Sequence, residues 1–145
     1  MSNYVYSFNN VVCVVGTFEI RGYGESADGI SIVYDNPLIT DISGTDGDTV
    51  TSLVVDYRAT ITLRLHNASP ANAFLSGLLQ TYRTGKIIPT PFLVRDSAGL
   101  DLHTAPHVSV VKHPDSTYAK ESTLREWELR APELISFNGG GQQLS

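Results

Sequence analysis

Three histidines and one aspartate come nearest to a metal site in this 145-residue chain. His103 and His107 are four positions apart, with Asp101 and His113 nearby in the sequence. On a helix this spacing would put both imidazoles on one face, and Zn²⁺ binds imidazole and carboxylate ligands. Pro106 disfavours such a helix, because its ring and its missing N–H interrupt helical hydrogen bonding. We therefore expect surface histidines here, with no metal and no cofactor.

Two acidic patterns match a chemical signature only in part. Glu126 and Glu128 could be the paired carboxylates of a glycosidase. Alternate residues of a strand share one face, however, so a solvated pair is the simpler interpretation. The stretch 41–48, DISGTDGD, has the composition of a calcium loop, but Ser43, Thr45 and Asp46 occupy the third, fifth and sixth positions, where an EF-hand needs two acidic or amide residues and a glycine. The sequence predicts that the protein is not an enzyme.

Cys13 is the one cysteine of the chain and lies in the apolar run VVCVV. We expect a buried thiol rather than a nucleophile, because no positive charge lies close in sequence to lower its pKa. The first residues, MSNYVYSF, lack a basic region followed by a long apolar run, and no window approaches the length of a membrane span. We expect no signal peptide, no membrane contact and folding in a cytoplasm.

The stretch 59–83 contains the two elements around which the fold is organised. In its first half Ile61, Leu63 and Leu65 alternate with polar residues, which is the period of a half-buried strand. One face of this strand is expected to pack in the core, and the other to face water or a partner.

An amphipathic helix is predicted at about 70–83. Ser69 is the expected N-cap, Pro70 suits the first helical position, and Gly85 ends the helix. The apolar stripe that should pack against the core consists of Phe74, Leu75, Leu78 and Leu79.

The rest of the sequence consists of short β-rich segments separated by turn residues. This pattern predicts a mainly β fold, a β-sandwich or small barrel with one packed helix. Residues 1–137 should form a single domain, and 138–145 a flexible tail. The segment 124–130 has charged residues on both faces, so we expect it to be exposed or at an interface. The predicted strands fall at 4–8, 11–15, 16–23, 29–34, 51–57, 87–96, 100–103, 108–112 and 124–130.

A long acidic loop at about 35–49 stands out from the short turns. The chain has a formal net charge of −5, and no Lys or Arg lies between Arg21 and Arg58. Loops of this length are commonly functional, and this one keeps several aliphatic residues. Two alternatives fit: an arm that covers its apolar residues on a neighbouring subunit, or an extra hairpin that turns at Asp46 and Gly47. The residues assigned to the arm are Leu38, Ile39, Asp41, Ile42, Asp46 and Asp48.

The segment 49–66 also has two interpretations. It is either one long strand, continuing by a bulge near 56–58, or two strands with a hairpin turn there. A continuous strand would reach roughly 60 Å at about 3.3 Å per residue and would project beyond its own subunit. Its polar face would carry Ser52, Asp56, Arg58, Thr60, Thr62 and Arg64.

Several segments together resemble one protein family. YSFNNV at 6–11, the glycine-rich acidic stretch 44–48, TITLRL at 60–65 with SPANA at 69–73, and HPDSTYAK at 113–120 before Glu126 and Trp127 are similar to tail tube proteins of contractile-tailed bacteriophages. The resemblance spans nearly the whole chain and keeps the order of its parts. It implies a fold related to that of the type VI secretion tube protein.

The resemblance also implies an assembly. Six copies would form a ring whose strands join one inner barrel, and stacked rings would form a hollow tube through which the genome passes. The arm would reach the next ring, and the polar face of the long strand would line the lumen. The implied partners are further copies of the chain, tail sheath, baseplate and tail terminator proteins, and double-stranded DNA that passes without sequence-specific binding. The implied location is the virion tail, assembled in the bacterial host cytoplasm.

A second function class is a non-catalytic β-sandwich binding module that recognises carbohydrate. Its candidate stacking residues are Tyr23, Tyr34, Tyr57 and Trp127, which are scattered along the sequence.

Overall fold

A computed structural model describes residues 3–5, 11–21, 23, 29–96, 101–120, 123–139 and 142–144. The predicted turn at 9–10 and most of the YSFNNV segment lie outside these residues. Within them the chain forms one helix, α1 (Ala71–Arg83), and thirteen strands. The strands are β1 (Asn3–Val5), β2 (Val11–Val15), β3 (Phe18–Glu19), β4 (Ile30–Tyr34), β5 (Ile39–Ser43), β6 (Thr49–Leu53), β7 (Ala59–His66), β8 (Phe92–Asp96), β9 (Asp101–Ala105), β10 (Ser109–Val110), β11 (Leu124–Ala131), β12 (Ile135–Phe137) and β13 (Gln142–Leu144).

Two antiparallel sheets enclose the core. The first, sheet I, has the strand order β10-β11-β7-β4, and the second, sheet II, has the order β12-β9-β8-β2-β3. Both sheets have open edges, so of the two predicted forms the structure is a sandwich, and the mainly β prediction is confirmed. The largest fully buried side chains come from both sheets, the helix and two connecting segments: Trp127, Phe92, Ile61, Leu63, Leu65, Leu75, Leu129, Leu134, Val15, Val108 and Cys13.

The strand β7 is the centre of sheet I. Its alternating apolar residues are buried and its polar residues are partly exposed, as the sequence predicts. It pairs along its full length with β11, where Trp127 lies opposite Leu63. Of the two alternatives for 124–130, the exposed strand is wrong, because β11 lies between two strands and buries Trp127 and Leu129. A contact of its other face with a partner stays a prediction. Glu126, Glu128 and Arg130 lie on this other face of β11, and Arg125 lies on the core-facing side near the start of the strand.

The helix lies beside the sandwich near β3 and β10. The N-cap position of the helix is Pro70 (φ −65°, ψ −19°), so the predicted N-cap, Ser69, is wrong by one residue. The Ser69 Oγ accepts a hydrogen bond from the Ala71 N–H at 3.3 Å. Gly85, with φ +83°, follows the last turn, in a backbone region that favours glycine. The ring of Phe74 stacks on that of Phe18 with centroids 4.8 Å apart.

The segment 30–63 is one long hairpin with an irregular middle. Its inner half pairs β4 with β7, with Tyr34 opposite Ala59, and its outer half pairs β5 with β6, with Ile39 opposite Leu53. Four residues (35–38) separate the halves on the outgoing arm and five (54–58) on the return arm, so the return arm has one extra residue, as in a β-bulge. Of the two interpretations of 49–66, the structure therefore fits the one in which the chain continues by a bulge, although β6 and β7 are separate strands; the predicted hairpin turn between them is wrong.

The two ends of the described chain pair with each other. The strand β13 runs antiparallel to β1, with Tyr4 opposite Gln143. This pairing disagrees with the prediction of a flexible tail over the whole of 138–145, because backbone pairing does not depend on the polar composition from which the tail was inferred.

Candidate assembly surfaces

The outer half of the long hairpin, β5 and β6, occupies the predicted acidic loop. Its tip is closed by hydrogen bonds from the Gly44 N–H to the Asp48 carbonyl (2.6 Å) and from the Gly47 N–H to the Gly44 carbonyl (3.2 Å). Gly47 has φ +84°, which fits the predicted turn at Asp46 and Gly47. The hairpin form of the two alternatives is thus the one that this chain adopts. We name residues 38–54, which end at the hydrogen bond from the Val54 N–H to the Leu38 carbonyl, the outer hairpin.

Apolar side chains are exposed on both faces of the outer hairpin. Ile39 faces Leu53 across the ladder, and Ile42 faces Val50. Positions 39 and 42 differ by an odd number, so the two pairs point to opposite faces. Their side chains are 59–71% exposed, which is unusual for aliphatic residues on strands. The six residues assigned to the arm, Leu38, Ile39, Asp41, Ile42, Asp46 and Asp48, are all exposed on this hairpin.

A charged network holds the root of the hairpin. Asp56 accepts hydrogen bonds from Arg58 Nε (3.0 Å), Arg58 Nη2 (2.9 Å) and Asn36 Nδ2 (2.8 Å). These contacts, those with Arg58 above all, hold the pKa of Asp56 well below its usual value. Asp35 accepts from Arg130 Nη1 (3.0 Å) and Nη2 (2.6 Å), and this pair lowers the pKa of Asp35 in the same way. The root therefore ties the hairpin to β11.

The outward face of sheet I carries paired charges. Thr60, Thr62 and Arg64 lie on it, opposite Arg130, Glu128 and Glu126 of β11 respectively. Arg64 Nε lies 3.5 Å from Glu126 Oε2, and Arg64 Nη1 donates to Ser31 Oγ at 3.0 Å. The arginines of this face are thus compensated by acids of neighbouring strands. We name this surface, formed by residues 31, 60, 62, 64, 126, 128 and 130, the polar face.

Only part of the predicted lumen set lies on the polar face. Thr60, Thr62 and Arg64 share it, whereas Asp56 and Arg58 belong to the hairpin root. Ser52 lies opposite Thr40 in the outer hairpin. The extra residue at 54–58 breaks the alternation, so the prediction that one polar face runs from Ser52 to Arg64 is wrong.

A family model for the bacteriophage PhiTE tail tube protein matches residues 1–137 of the chain. The chain belongs to this family. Its role is therefore structural, as a tail tube protein of the virion, and the family resemblance inferred from the sequence is confirmed. No curated protein sequence matches the chain.

Solved structures of contractile injection systems share the fold of this tail tube protein. The anti-feeding prophage cap superposes with a TM-score of 0.65 and 12% identity over 94% of this chain and 93% of that chain. The sheath/tube terminator of the extracellular contractile injection system PVC superposes with a TM-score of 0.65 and 17% identity over 93% of this chain and 98% of that chain. A chain of the PVC sheath-tube complex superposes with a TM-score of 0.64 and 14% identity over 93% of each chain. At these identities the likeness establishes the fold alone.

The three histidines considered as metal ligands have different neighbours in this tail tube protein. His103 Nδ1 contacts Ser136 Oγ at 2.6 Å, His107 Nδ1 accepts from the Thr90 N–H at 3.1 Å, and the His113 ring lies 6.3 Å from that of Trp127. Among the residues that the structure describes, no group of three or more His, Cys, Asp or Glu could hold a metal ion.

The aromatic residues weighed for carbohydrate stacking have other neighbours. Trp127 is 1% exposed, and its Nε1 donates to Asn72 Oδ1 at 2.8 Å. Tyr34 donates its hydroxyl to the Leu134 carbonyl at 2.8 Å and, with Tyr57, lines a groove of about 380 Å³ at the hairpin root. A sugar-stacking platform needs exposed ring faces, which the buried indole does not offer.

The four residues of the predicted apolar stripe on the helix are buried to different extents. Leu75 is fully buried, and Phe74, Leu78 and Leu79 are partly buried against the core. In the described part of the chain, α1 is also too short and too polar to cross a membrane.

Burial raises the pKa of the Cys13 thiol to about 12, so this thiol is inert at neutral pH.

Two structural residues were missed by the sequence reasoning. Asn72 is buried beside the indole of Trp127, and its Nδ2 donates to the His66 carbonyl at 3.0 Å. Arg130 links β11 to the hairpin root through Asp35. A buried Asn in the first helical turn carries no distinctive spacing, and the Arg130 partner lies 95 residues away, so neither contact could be found from local pattern.

Proposed function

We propose that this chain is the repeating subunit of a phage tail inner tube, assembled as stacked hexameric rings that form the conduit for genome ejection. The observation that carries the proposal is the outer hairpin, which exposes aliphatic side chains on both faces in a protein of a tail tube family. Exposed apolar surface of this kind marks contacts with other molecules. Another copy of the chain is the partner that a tube requires.

The hairpin is the candidate contact between rings. Leu38, Ile39 and Ile42 would be covered by a subunit of the next ring, while Asp41, Asp46 and Asp48 would face its basic residues. A heterologous contact of this kind repeats without closing and so produces a long polymer. The bulge and the Asp–Arg pairs at the root would fix the direction in which the hairpin projects.

The polar face is the candidate lumen surface. The outer strands of sheet I, β4 and β10, have edges that strands of neighbouring subunits could complete, and closing the ring would leave no exposed edge. Arg64 and Arg130 are paired with acids, so the face offers few cations to neutralise phosphates. Double-stranded DNA would then pass without being held and without sequence-specific contacts.

The wider partners follow from this role. The tube would contact tail sheath along its outside, a baseplate at one end and a terminator at the other, and would assemble in the bacterial host cytoplasm. The family of the chain indicates a structural rather than an enzymatic protein.

Negative-stain electron microscopy of the purified protein over a concentration series tests the proposal. We expect rings or hollow tubes of uniform width above a threshold concentration. A protein that remains monomeric at every concentration, and that binds a glycan array instead, would support the binding-module class and contradict the tube.

A further inference from the structure

The segment that follows α1 exposes apolar and basic side chains together. All residues of 83–89 are exposed, and Ile87 and Ile88 are 68% and 50% exposed. Lys86 directly precedes them in sequence, and Arg83 lies four residues before Ile87. We name Arg83, Lys86, Ile87 and Ile88 the helix-end patch. Two exposed isoleucines with two cations and no acid form a surface suited to an acidic, apolar partner.

The outer hairpin has the complementary composition. It exposes Ile39, Ile42, Val50 and Leu53, and its sequence contains three aspartates and no Lys or Arg. The chain between Asp56 and Asp96, which includes the helix-end patch, contains no Asp or Glu. Each surface is therefore apolar and of a single charge sign, and the two signs are opposite.

The two surfaces belong to opposite edges of one sheet. The last turn of the helix lies at β10, where the Val110 N–H donates to the Tyr82 hydroxyl at 3.4 Å. The outer hairpin continues from β4, and β10 and β4 are the two edge strands of sheet I. A contact between them within one chain would have to span β11 and β7. The complementary surfaces are thus placed for contact between copies rather than within a copy.

We propose that the outer hairpin of one subunit docks on the helix-end patch of a second copy of this chain. The inference rests on the proposed tube function and names the surface that receives the hairpin. Burial of the isoleucines contributes the hydrophobic part of the binding free energy, which does not depend on orientation. The Asp–Arg and Asp–Lys pairs set the orientation of the contact and exclude like-charged partners. The contact is heterologous, so it propagates along a polymer.

A charge exchange in the full-length protein tests the contact. One variant carries Asp41→Lys and Asp48→Lys on the hairpin, and the other carries Arg83→Glu and Lys86→Glu on the patch. Each alone brings like charges together, and we expect the concentration needed for assembly, measured by sedimentation and electron microscopy, to rise about tenfold or more. In an equal mixture the two variants can alternate along the polymer, which pairs opposite charges at every contact, and the mixture should assemble at close to the wild-type concentration.

The control variant is Arg95→Glu with Lys120→Glu, which removes two other exposed cations with the same change in net charge. We expect it to assemble like the wild type. Arg95 lies on the outward face of sheet II opposite Leu102 in the ladder, which makes it the competing acceptor. Loss of assembly in this control, with rescue by the hairpin variant, would assign the hairpin to sheet II and overturn the proposal.

Two further outcomes distinguish failure of the docking contact from failure of the tube function. If the wild type assembles and the mixture of the two variants does not, the docking assignment is wrong while the tube function stands. If the wild type never assembles, the tube function itself fails. Circular dichroism of each variant should match the wild type, because all six substituted positions are exposed.

Discussion

The two halves of the long hairpin at 30–63 have equally regular ladders but differ in burial. In the inner half, β7 places Ile61 and Leu63 against the core, and both are fully buried. In the outer half, Ile42 and Val50 pair across an equally regular ladder and remain about 60% exposed. Alternation therefore predicts a strand, but it does not predict what covers the strand. The inner half stabilises the subunit, and the outer half is available to stabilise an assembly.

Removing the outer hairpin is the largest change that this comparison suggests. Replacing residues 38–54 by two glycines should abolish tubes while leaving the sandwich folded, because the hydrogen bond between Val54 and Leu38 closes the segment at its root. Electron microscopy would report the loss of tubes, and circular dichroism the intact fold. Tubes of normal width from this variant would contradict the role of the hairpin.

Truncation of a core side chain that lies opposite the inner half should lower the stability of the subunit itself. Trp127→Ala removes a buried indole opposite Leu63 and should lower the free energy of unfolding by about 3–5 kcal/mol. Urea denaturation of dilute, unassembled protein measures this loss. A cost below about 1 kcal/mol would show that the sandwich core is not organised around β7 and β11.

The polar contact between helix and sheet should matter less than the indole itself. Asn72→Ala leaves the Trp127 Nε1 without its acceptor and should cost about 1–3 kcal/mol in unfolding free energy. Gln80→Ala, at an exposed position of the same helix, is the matched control and should change little. Equal effects of the two variants would argue against a specific role for Asn72.

The stability of the hairpin root should decrease at acidic pH. The pKa of Asp56 is lowered below its usual 3.8 by Arg58, so the folded state favours the ionised carboxylate. The stabilisation is therefore present above pH 3.8 and decreases as the pH falls from there toward the lower folded pKa. Nuclear magnetic resonance of the Asn36 side-chain amide would follow this loss. Asp56→Asn should remove the pH response, and a wild-type transition centred at or above 3.8 would contradict the pairing.

The smallest expected effect on the subunit is at the outer hairpin. Ile42→Ser with Val50→Ser should change the free energy of unfolding of dilute protein by no more than about 0.5 kcal/mol, because both side chains are already exposed. The same variant should raise the concentration needed for assembly. A large loss of stability without a change in assembly would reverse the comparison between the two halves.

The local elements were accessible from the sequence because they depend on neighbours in the chain. Alternation at 59–66 predicted β7, and Pro70, the apolar stripe and Gly85 predicted α1 to within a residue. The turn at Asp46 and Gly47 depends on a positive φ that glycine provides, so it too was one of the predicted alternatives. The motifs shared with tail tube proteins were sufficient to predict the family.

The remaining features depend on partners that are distant in sequence. Only the tertiary structure placed β11 inside sheet I, because β11 pairs with β7, where Leu63 lies opposite Trp127 although the two residues are far apart in sequence. The sequence offered a bulge near 56–58 as one alternative, but only the count of residues between the paired strands decided for it and showed that it separates Ser52 from the face of Thr60 and Arg64. The sequence by itself determined which segments alternate and where they turn, since those are properties of adjacent residues. The tertiary structure decided which alternating faces are covered, since burial depends on what the whole chain brings against them.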